Sequence, residues 1–217
     1  MAADVSGHGD AASALAVQLR ALMRRYINTP NQARFLRKLN GAFVQLAAEG
    51  TFATALLVTY FAPTDHLIIV NAGHPRPLLW SAASGTWRPL QAPDDGKCDG
   101  PSNLPLGIID PTEYCQFAVR LDPDDRILLY TDSLVEAASP DGRLIGEHGL
   151  IEALSALPPS EPQDMCHAIL QALEAFRGGR PADDDVTVLM LHHNARNPAR
   201  QSVAQWSRTI GRMLGLL

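Results

Sequence analysis

The 217-residue chain has the length of one ordinary domain, and its net charge of -5 accompanies the mixed apolar and charged composition of a globular protein. No run of Lys or Arg is long enough to follow a phosphate backbone, so nucleic-acid binding is not expected. No apolar run approaches membrane-spanning length and no signal peptide opens the chain, so a membrane role is not expected either.

The first part of the chain predicts two amphipathic helices. Apolar residues fall on one face from about Ala11 to Ile27, and Asp10 can cap this helix. Thr29 and Pro30 then supply a cap and a first helical residue for a second apolar stripe, which ends near Gly50. Two helices are therefore expected directly after the opening turn.

The middle of the chain predicts an antiparallel meander. β-branched and aromatic runs separated by turn residues occupy 53–61, 66–71, 77–80 and 86–90. Gly73 and Pro75 mark a sharp corner between the second and third runs. Residues 93–103 have no periodicity and are expected to form a mobile surface loop.

The last part of the chain predicts three further strands and two helices. The strands are expected at 114–121, 126–131 and 186–191, and the helices at 149–157 and 160–176. The run Ile127 to Tyr130 is apolar without alternation, which is typical of a strand covered on both faces. We therefore assign 1–193 to one α+β domain and 194–217 to a linker and an amphipathic C-terminal helix.

The three cysteines, Cys98, Cys115 and Cys166, have no pair spacing and no neighbouring histidine cluster. This pattern argues against a disulfide frame and a zinc site, and it favours a reducing, cytoplasmic setting. Cys98 lies in the expected mobile loop, where it is either a reactive or an inert exposed thiol.

Three acidic residues stand at the ends of expected strands: Asp4 after an apolar stub, Asp132 after the buried run, and Asp184 before the last strand. Each has an ordinary explanation as a cap or a solvated lead-in residue. Their joint occurrence favours a shared hard cation, because Mg²⁺ and Mn²⁺ prefer oxygen ligands and the Val5 carbonyl would add one more. Two such ions about 3.5 to 4 Å apart would generate a bridging hydroxide suited to attack on phosphorus.

These residues belong to motifs that resemble a known family, the metal-dependent type 2C protein serine/threonine phosphatases, in the bacterial branch related to sporulation stage II protein E. The motifs span most of the chain in the family's order, at Asp4–Gly9, Asn71–Pro75, Pro105–Ile108, Leu128–Ala137 and Asp184–Thr187. The resemblance implies two packed antiparallel sheets covered by helices on both outer faces.

The resemblance also implies the site and its reaction. Asp4 would bridge two Mn²⁺ or Mg²⁺ ions, the Val5 carbonyl would bind one of them, and Asp132 and Asp184 would hold the other, supported by Asp185. The bridging hydroxide would hydrolyse a phosphoserine or phosphothreonine ester without a covalent intermediate. The implied substrate is a phosphorylated anti-anti-sigma factor or a related small regulatory domain.

The chain departs from the family pattern at its start. Family members carry an earlier strand pair with a Gly-Gly-Asp type motif, for which this sequence has no room, so we expect an N-terminally truncated fold. Either an upstream segment, such as a sensor or receiver domain, precedes it in a longer protein, or two strands have been lost. The alternative function is a catalytically impaired phosphatase fold that binds a regulatory partner. An unrelated two-metal phosphoesterase would need ligating histidines that the sequence lacks at suitable positions.

Four other residues in these motifs also bear on the expected site. His8 is either a general acid or a turn-stabilising residue, and His74 is expected to hold the corner by hydrogen bonds. Ser133 replaces the glycine usual after the motif aspartate, which would cost stability if that backbone needs a positive φ. Glu136 is either a support for the metal ligands or a solvated carboxylate.

Overall fold

The computed structural model describes residues 1–7, 9–48, 50–92, 102–158 and 160–195. The strands in this part of the chain are β1 Ala2–Val5, β2 Ala53–Phe61, β3 His66–Ala72, β4 Leu78–Ser81, β5 Thr86–Pro89, β6 Gln116–Arg120, β7 Arg126–Tyr130 and β8 Val188–His192. The α-helices are α1 Asp10–Tyr26, α2 Gln32–Val44, α3 Gly146–Ala156 and α4 Pro162–Phe176. The predicted α+β class with two antiparallel sheets is confirmed.

The described residues form two compact units: those within 1–74 and 92–120 belong to the first, and those within 75–91 and 121–195 belong to the second. The first unit holds α1, α2 and a sheet of order β1-β2-β3-β6. Its core is built on Leu36, Leu39 and Phe43 of α2, which are completely buried against the sheet. An apolar stripe at helical spacing thus meets the covered face of an antiparallel sheet.

The second unit holds α3, α4 and a sheet of order β5-β4-β7-β8. Leu150 and Leu154 of α3 and Ile169 and Leu173 of α4 bury their side chains in its core. The strand β7 lies inside this sheet and its last four residues are buried, as the unbroken apolar run predicts. Strand β8 is an edge strand in which Leu189 remains 49% exposed.

The corner after β3 sends the chain into the second sheet, so the prediction of one continuous meander is wrong. Gly73 adopts φ +68°, and a Cβ there would lie 2.4 Å from Cγ of Pro105. Pro75 and Pro77 then lack the N–H groups that a strand paired to β3 would need. As a result β4 pairs with β5 and β7 instead of β3.

The helix boundaries differ from the expected ones at the caps. Gly9 precedes α1 without a side-chain hydrogen bond, and Asp10 is the first helical residue instead of the cap. Helix α2 is capped by Asn31, whose Oδ1 accepts the Arg34 N–H at 2.8 Å, and not by Thr29. None of the helices in the described part of the chain combines the length and hydrophobicity that a bilayer span requires.

The expectation that the cysteines form no disulfide is wrong for Cys115, which is disulfide-bonded, whereas Cys166 is free. The fold can bring together cysteines at any sequence separation, so spacing alone could not reveal this bond. Residues 93–101, with Cys98, and residues 196–217, with the expected C-terminal helix, lie outside the described residues.

Candidate active site

The opening acidic turn is fixed to the first sheet by strand pairing. Asp4 lies opposite Thr54 and Val5 opposite Ala53 in the antiparallel ladder between β1 and β2. Beyond the strand, the Ser6 N–H donates to the Phe52 carbonyl at 2.9 Å, and the Phe52 N–H donates to Ser6 Oγ at 3.0 Å. Asp4 and Val5 are half-buried, and this pairing fixes their position on the edge strand of the sheet. His8 lies outside the described residues.

The corner motif supports this turn from the opposite strand. His74 is only 5% exposed, and its Nδ1 forms a 2.8 Å hydrogen bond with Oγ1 of Thr54, the residue paired with Asp4. Asn71 closes the corner, because its Oδ1 accepts the His74 N–H and its Nδ2 donates to the His74 carbonyl, both at 2.8 Å. The hydrogen bonds expected for His74 are present, and Thr54 is a neighbour that the sequence did not indicate.

Asp132 starts a short 3-10 helix, Asp132–Leu134, directly after β7. The backbone N–H groups of Val135 and Glu136 both donate to the Asp132 carbonyl at 2.8 Å, which directs the chain away from the sheet. Ser133 is buried and takes a helical conformation, so the positive φ considered for this position is not needed. The Glu136 side chain is exposed.

The loop before β8 is tied to the Asp132 segment by four hydrogen bonds. The Asp185 carbonyl accepts the hydroxyls of Thr131 at 3.2 Å and Ser133 at 2.8 Å. The Thr187 N–H donates to Thr131 Oγ1 at 3.0 Å, and the Thr131 N–H donates to the Thr187 carbonyl at 3.2 Å. The second unit thus places Asp132 and Asp184 on two loops that are hydrogen-bonded to each other.

A cationic side chain holds the Asp132 segment from α4. Arg177 follows the last residue of this helix, and its Nη2 donates to the Ser133 carbonyl at 3.0 Å. Sequence reasoning did not single out Arg177, because an arginine at a helix end is usually explained by the helix dipole. Its contact identifies it as a residue that positions the Asp132 loop.

The donor chemistry of these residues fits a hard divalent cation, since carboxylates and a backbone carbonyl are the ligands that Mg²⁺ and Mn²⁺ favour. Asp4 and Val5 belong to the first unit, and Asp132 and Asp184 belong to the second. In the described ranges no three His, Cys, Asp or Glu side chains form a group that could hold a metal ion. The shared ligand set therefore stays a prediction.

Residues 1–194 match the family of the stage II sporulation protein E (SpoIIE). The chain belongs to this family. It is 25% identical over 193 residues to the phosphoserine phosphatase RsbP of Bacillus subtilis, covering 87% of this chain and 44% of RsbP. It is also 26% identical over 190 residues to the phosphoserine phosphatase RsbU of the same organism, covering 87% of this chain and 53% of RsbU. The SpoIIE-family domain described here thus spans about half the length of these curated relatives.

Solved structures show the same fold. The RsbU and RsbW domains of a Mycobacterium tuberculosis protein match with a TM-score of 0.71 at 24% identity, over 99% of this chain and 59% of theirs. The PP2C phosphatase domain of SpoIIE from Bacillus subtilis, solved with a fragment of its regulatory domain, matches with a TM-score of 0.68 at 17% identity, over 87% of this chain and 52% of that one. The catalytic domain of the phosphatase PstP, in complex with two manganese ions, matches with a TM-score of 0.59 at 20% identity, over 87% of this chain and 84% of that one. The chain is therefore a SpoIIE-family domain with the fold of these PP2C structures.

Proposed function

We propose that this domain hydrolyses phosphoserine or phosphothreonine esters on a bacterial regulatory protein, using water activated by two Mn²⁺ or Mg²⁺ ions. The observation that carries the proposal is the family match over residues 1–194. It is supported by relatives named as phosphoserine phosphatases and by a neighbouring structure that holds two manganese ions. The hydrogen-bonded loops of Asp132 and Asp184 agree with it.

Each predicted ligand has its own metal-binding role in the proposed reaction. Asp4, on its paired edge strand, would bridge the two ions, and the Val5 carbonyl would bind one of them. Asp132 and Asp184 would hold the other ion, and Asp185 would support them through its position in the same loop. The bound ions supply Lewis acidity and lower the pKa of coordinated water. The protein's own contribution is to keep these oxygens in place on hydrogen-bonded backbone.

The substrate class proposed here is a phosphorylated anti-anti-sigma factor or a related small regulatory domain. The proposed substrate class rests on the family resemblance. Because such a substrate controls transcription, the proposed reaction takes place in the cytoplasm. The relatives RsbP and RsbU are about twice as long as the aligned region, so a sensor or receiver segment acting on this domain belongs to the same proposal.

The test uses the chain with its natural flanking sequence, titrated with Mn²⁺ by calorimetry and assayed on p-nitrophenyl phosphate and a phosphoserine protein. We expect two-site binding, and activity losses of more than about a hundredfold for Asp4→Ala, Asp132→Ala and Asp184→Asn. Asp183→Ala is the matched control, because Asp183 is an exposed neighbour outside the predicted ligand set. If the wild type neither binds Mn²⁺ nor hydrolyses either substrate, the domain is a partner-binding module and the proposal is wrong.

A further inference from the structure

The loop after Leu106 exposes two adjacent isoleucines. Ile108 is 53% exposed and Ile109 is 44% exposed, whereas Leu106, two residues earlier, is completely buried. A single exposed apolar side chain is ordinary on a protein surface. Two neighbouring exposed side chains can form a binding surface when the backbone that carries them is held in a fixed position. The hydrogen bonds to this backbone are therefore the relevant observation. We refer to Ile108 and Ile109 as the isoleucine tip.

A fully buried asparagine holds the backbone on both sides of the isoleucine tip. Asn40 of α2 accepts the Gly107 N–H through Oδ1 at 3.0 Å and donates from Nδ2 to the Ile109 carbonyl at 2.8 Å. The hydroxyl of Thr112 donates to the same carbonyl at 2.7 Å. Burying an amide costs free energy unless its donors and acceptors form hydrogen bonds. Both the oxygen and the nitrogen of the Asn40 amide form theirs with this loop.

The two ends of the loop are also fixed. Gly107 adopts φ +94°, and a Cβ there would lie 3.0 Å from the Thr51 carbonyl oxygen and 3.1 Å from the Phe43 ring. At the other end, Glu113 forms a 2.6 Å ion pair with Arg37 of α2. The isoleucine tip is therefore a rigid apolar projection rather than part of a mobile loop.

The loop that carries the isoleucine tip begins at a residue two strands away from Val5. The backbones of Leu106 and Ala53 exchange two hydrogen bonds, of 2.9 and 2.8 Å, and Ala53 is paired with Val5 in turn. Two strand spacings, about 10 Å in all, therefore separate Leu106 from Val5. A small phosphate ester bound at Asp4 and Val5 covers less than this separation, whereas the contact surface of a folded protein that presents a phosphoserine there extends well beyond it.

We infer that the isoleucine tip docks the folded phosphoprotein substrate, through a small apolar patch that the substrate carries beside its phosphorylated residue. This inference rests on the proposed phosphatase function, since it names a contact made by the substrate of that reaction. The isoleucine tip would favour a protein substrate through burial of apolar area, without taking part in the chemistry.

The test compares two substrates. The wild-type chain with its flanking sequence and the double variant Ile108→Ser/Ile109→Ser are assayed on p-nitrophenyl phosphate and on the phosphorylated anti-anti-sigma proteins of the same genome. We expect the double variant to lose about ten- to hundredfold in kcat/KM on the phosphoprotein and to keep its activity on p-nitrophenyl phosphate. Ile27→Ser is the matched control, because Ile27 is 65% exposed at the end of α1; it should leave both activities unchanged.

Several results would overturn the inference. An equal loss on both substrates would make the isoleucine tip a support of the site, and no loss on either would remove its role altogether. If the wild type hydrolyses p-nitrophenyl phosphate but none of the phosphoproteins, this substrate class is wrong. A wild-type dimer that the double variant dissociates would make the isoleucine tip a self-association surface. If the wild type hydrolyses neither substrate, the proposed function itself fails and the inference falls with it.

Discussion

Buried polar side chains hold the segments that carry the predicted site residues and the isoleucine tip. Asn40 fixes the backbone around the isoleucine tip, His74 bonds to the strand residue opposite Asp4, and Ser133 bonds to the loop that follows Asp184. All three side chains are buried. Removing one partner of such a buried bond costs about 1–3 kcal/mol, so these residues contribute to stability as well as to positioning.

The hairpin between β2 and β3 contains a tyrosine with a shifted ionisation. Tyr60 donates its hydroxyl to Asp65 Oδ1 at 2.6 Å, and this hydrogen bond is the main cause that raises the pKa of Tyr60 from 10.0 to about 12. Partial burial and the negative charge of Asp65 act in the same direction.

We predict a pH effect on stability from this pair. A pKa raised in the folded state contributes stability that is complete below pH 10.0 and is lost as the pH rises towards about 12. Tyrosinate absorbance of the wild type, compared with that of Tyr60→Phe, should show one tyrosine ionising near pH 12. Asp65→Asn should bring this ionisation back towards pH 10.0. An unchanged titration in Asp65→Asn would contradict the assigned cause.

Most helices and strands could be predicted from the sequence because their patterns are local. Strand β2 has the predicted bounds, and β3, β7, α1 and α4 differ from prediction by one or two residues. Periodicity of two or 3.6 residues identifies such elements without knowledge of their partners. Caps were less predictable, since Thr29 and Asn31 both belong to the residue types that cap helices and the backbone geometry decides which of them does so.

The assignment of strands to sheets could not be predicted from local pattern. The corner at Gly73 depends on its contact with Pro105, thirty-two positions later in the chain, and no periodicity records that contact. The same limit applies to Arg177, whose role depends on a carbonyl forty-four positions earlier. Long-range contacts of this kind determine which loops come together, whereas local sequence patterns predict only which segments form helices or strands.

The end of α4 gives a prediction about metal binding. Arg177→Ala removes the hydrogen bond to the Ser133 carbonyl, so the Asp132 loop should be held less firmly and the Kd for Mn²⁺ should rise about tenfold. Calorimetric titration with Mn²⁺ measures this change. Arg180→Ala is the control, because Arg180 is exposed and its Nη2 is 3.4 Å from the Pro140 carbonyl. Equal effects of the two substitutions would remove the positioning role of Arg177.

At the scale of the whole molecule, the predicted ligands come from both compact units. Asp4 lies in one and Asp132 and Asp184 lie in the other, and each unit has its own apolar core. The acidic residues could be selected from the sequence because they stand next to strands in motif order. Their distribution over two units could not, because it follows from the corner that separates the sheets.

The proposed shared site predicts that metal stabilises the folded chain. At a free Mn²⁺ concentration of about 100 times its Kd, the free energy of unfolding should rise by about 2.7 kcal/mol for each ion bound. Thermal and denaturant unfolding with and without Mn²⁺ measure this gain. The gain should disappear in Asp4→Ala and in Asp132→Ala alike, and it should persist in Asp183→Ala. A gain lost in only one of the two ligand variants would mean that the ions do not share the predicted ligands.

The four hydrogen bonds between the Thr131 and Asp185 segments use hydroxyls, two backbone N–H groups and backbone carbonyls, and none of the four uses the carboxylate of Asp132 or Asp184. Asp184 Oδ1 accepts the Asp185 N–H at 2.7 Å, and an asparagine oxygen can accept it equally well. These loops can therefore keep their conformation when the Asp184 carboxylate is replaced by a neutral amide. Asp184→Asn offers a route to a substrate trap: an inactive chain that keeps its binding surface and can be crystallised with an intact phosphoprotein.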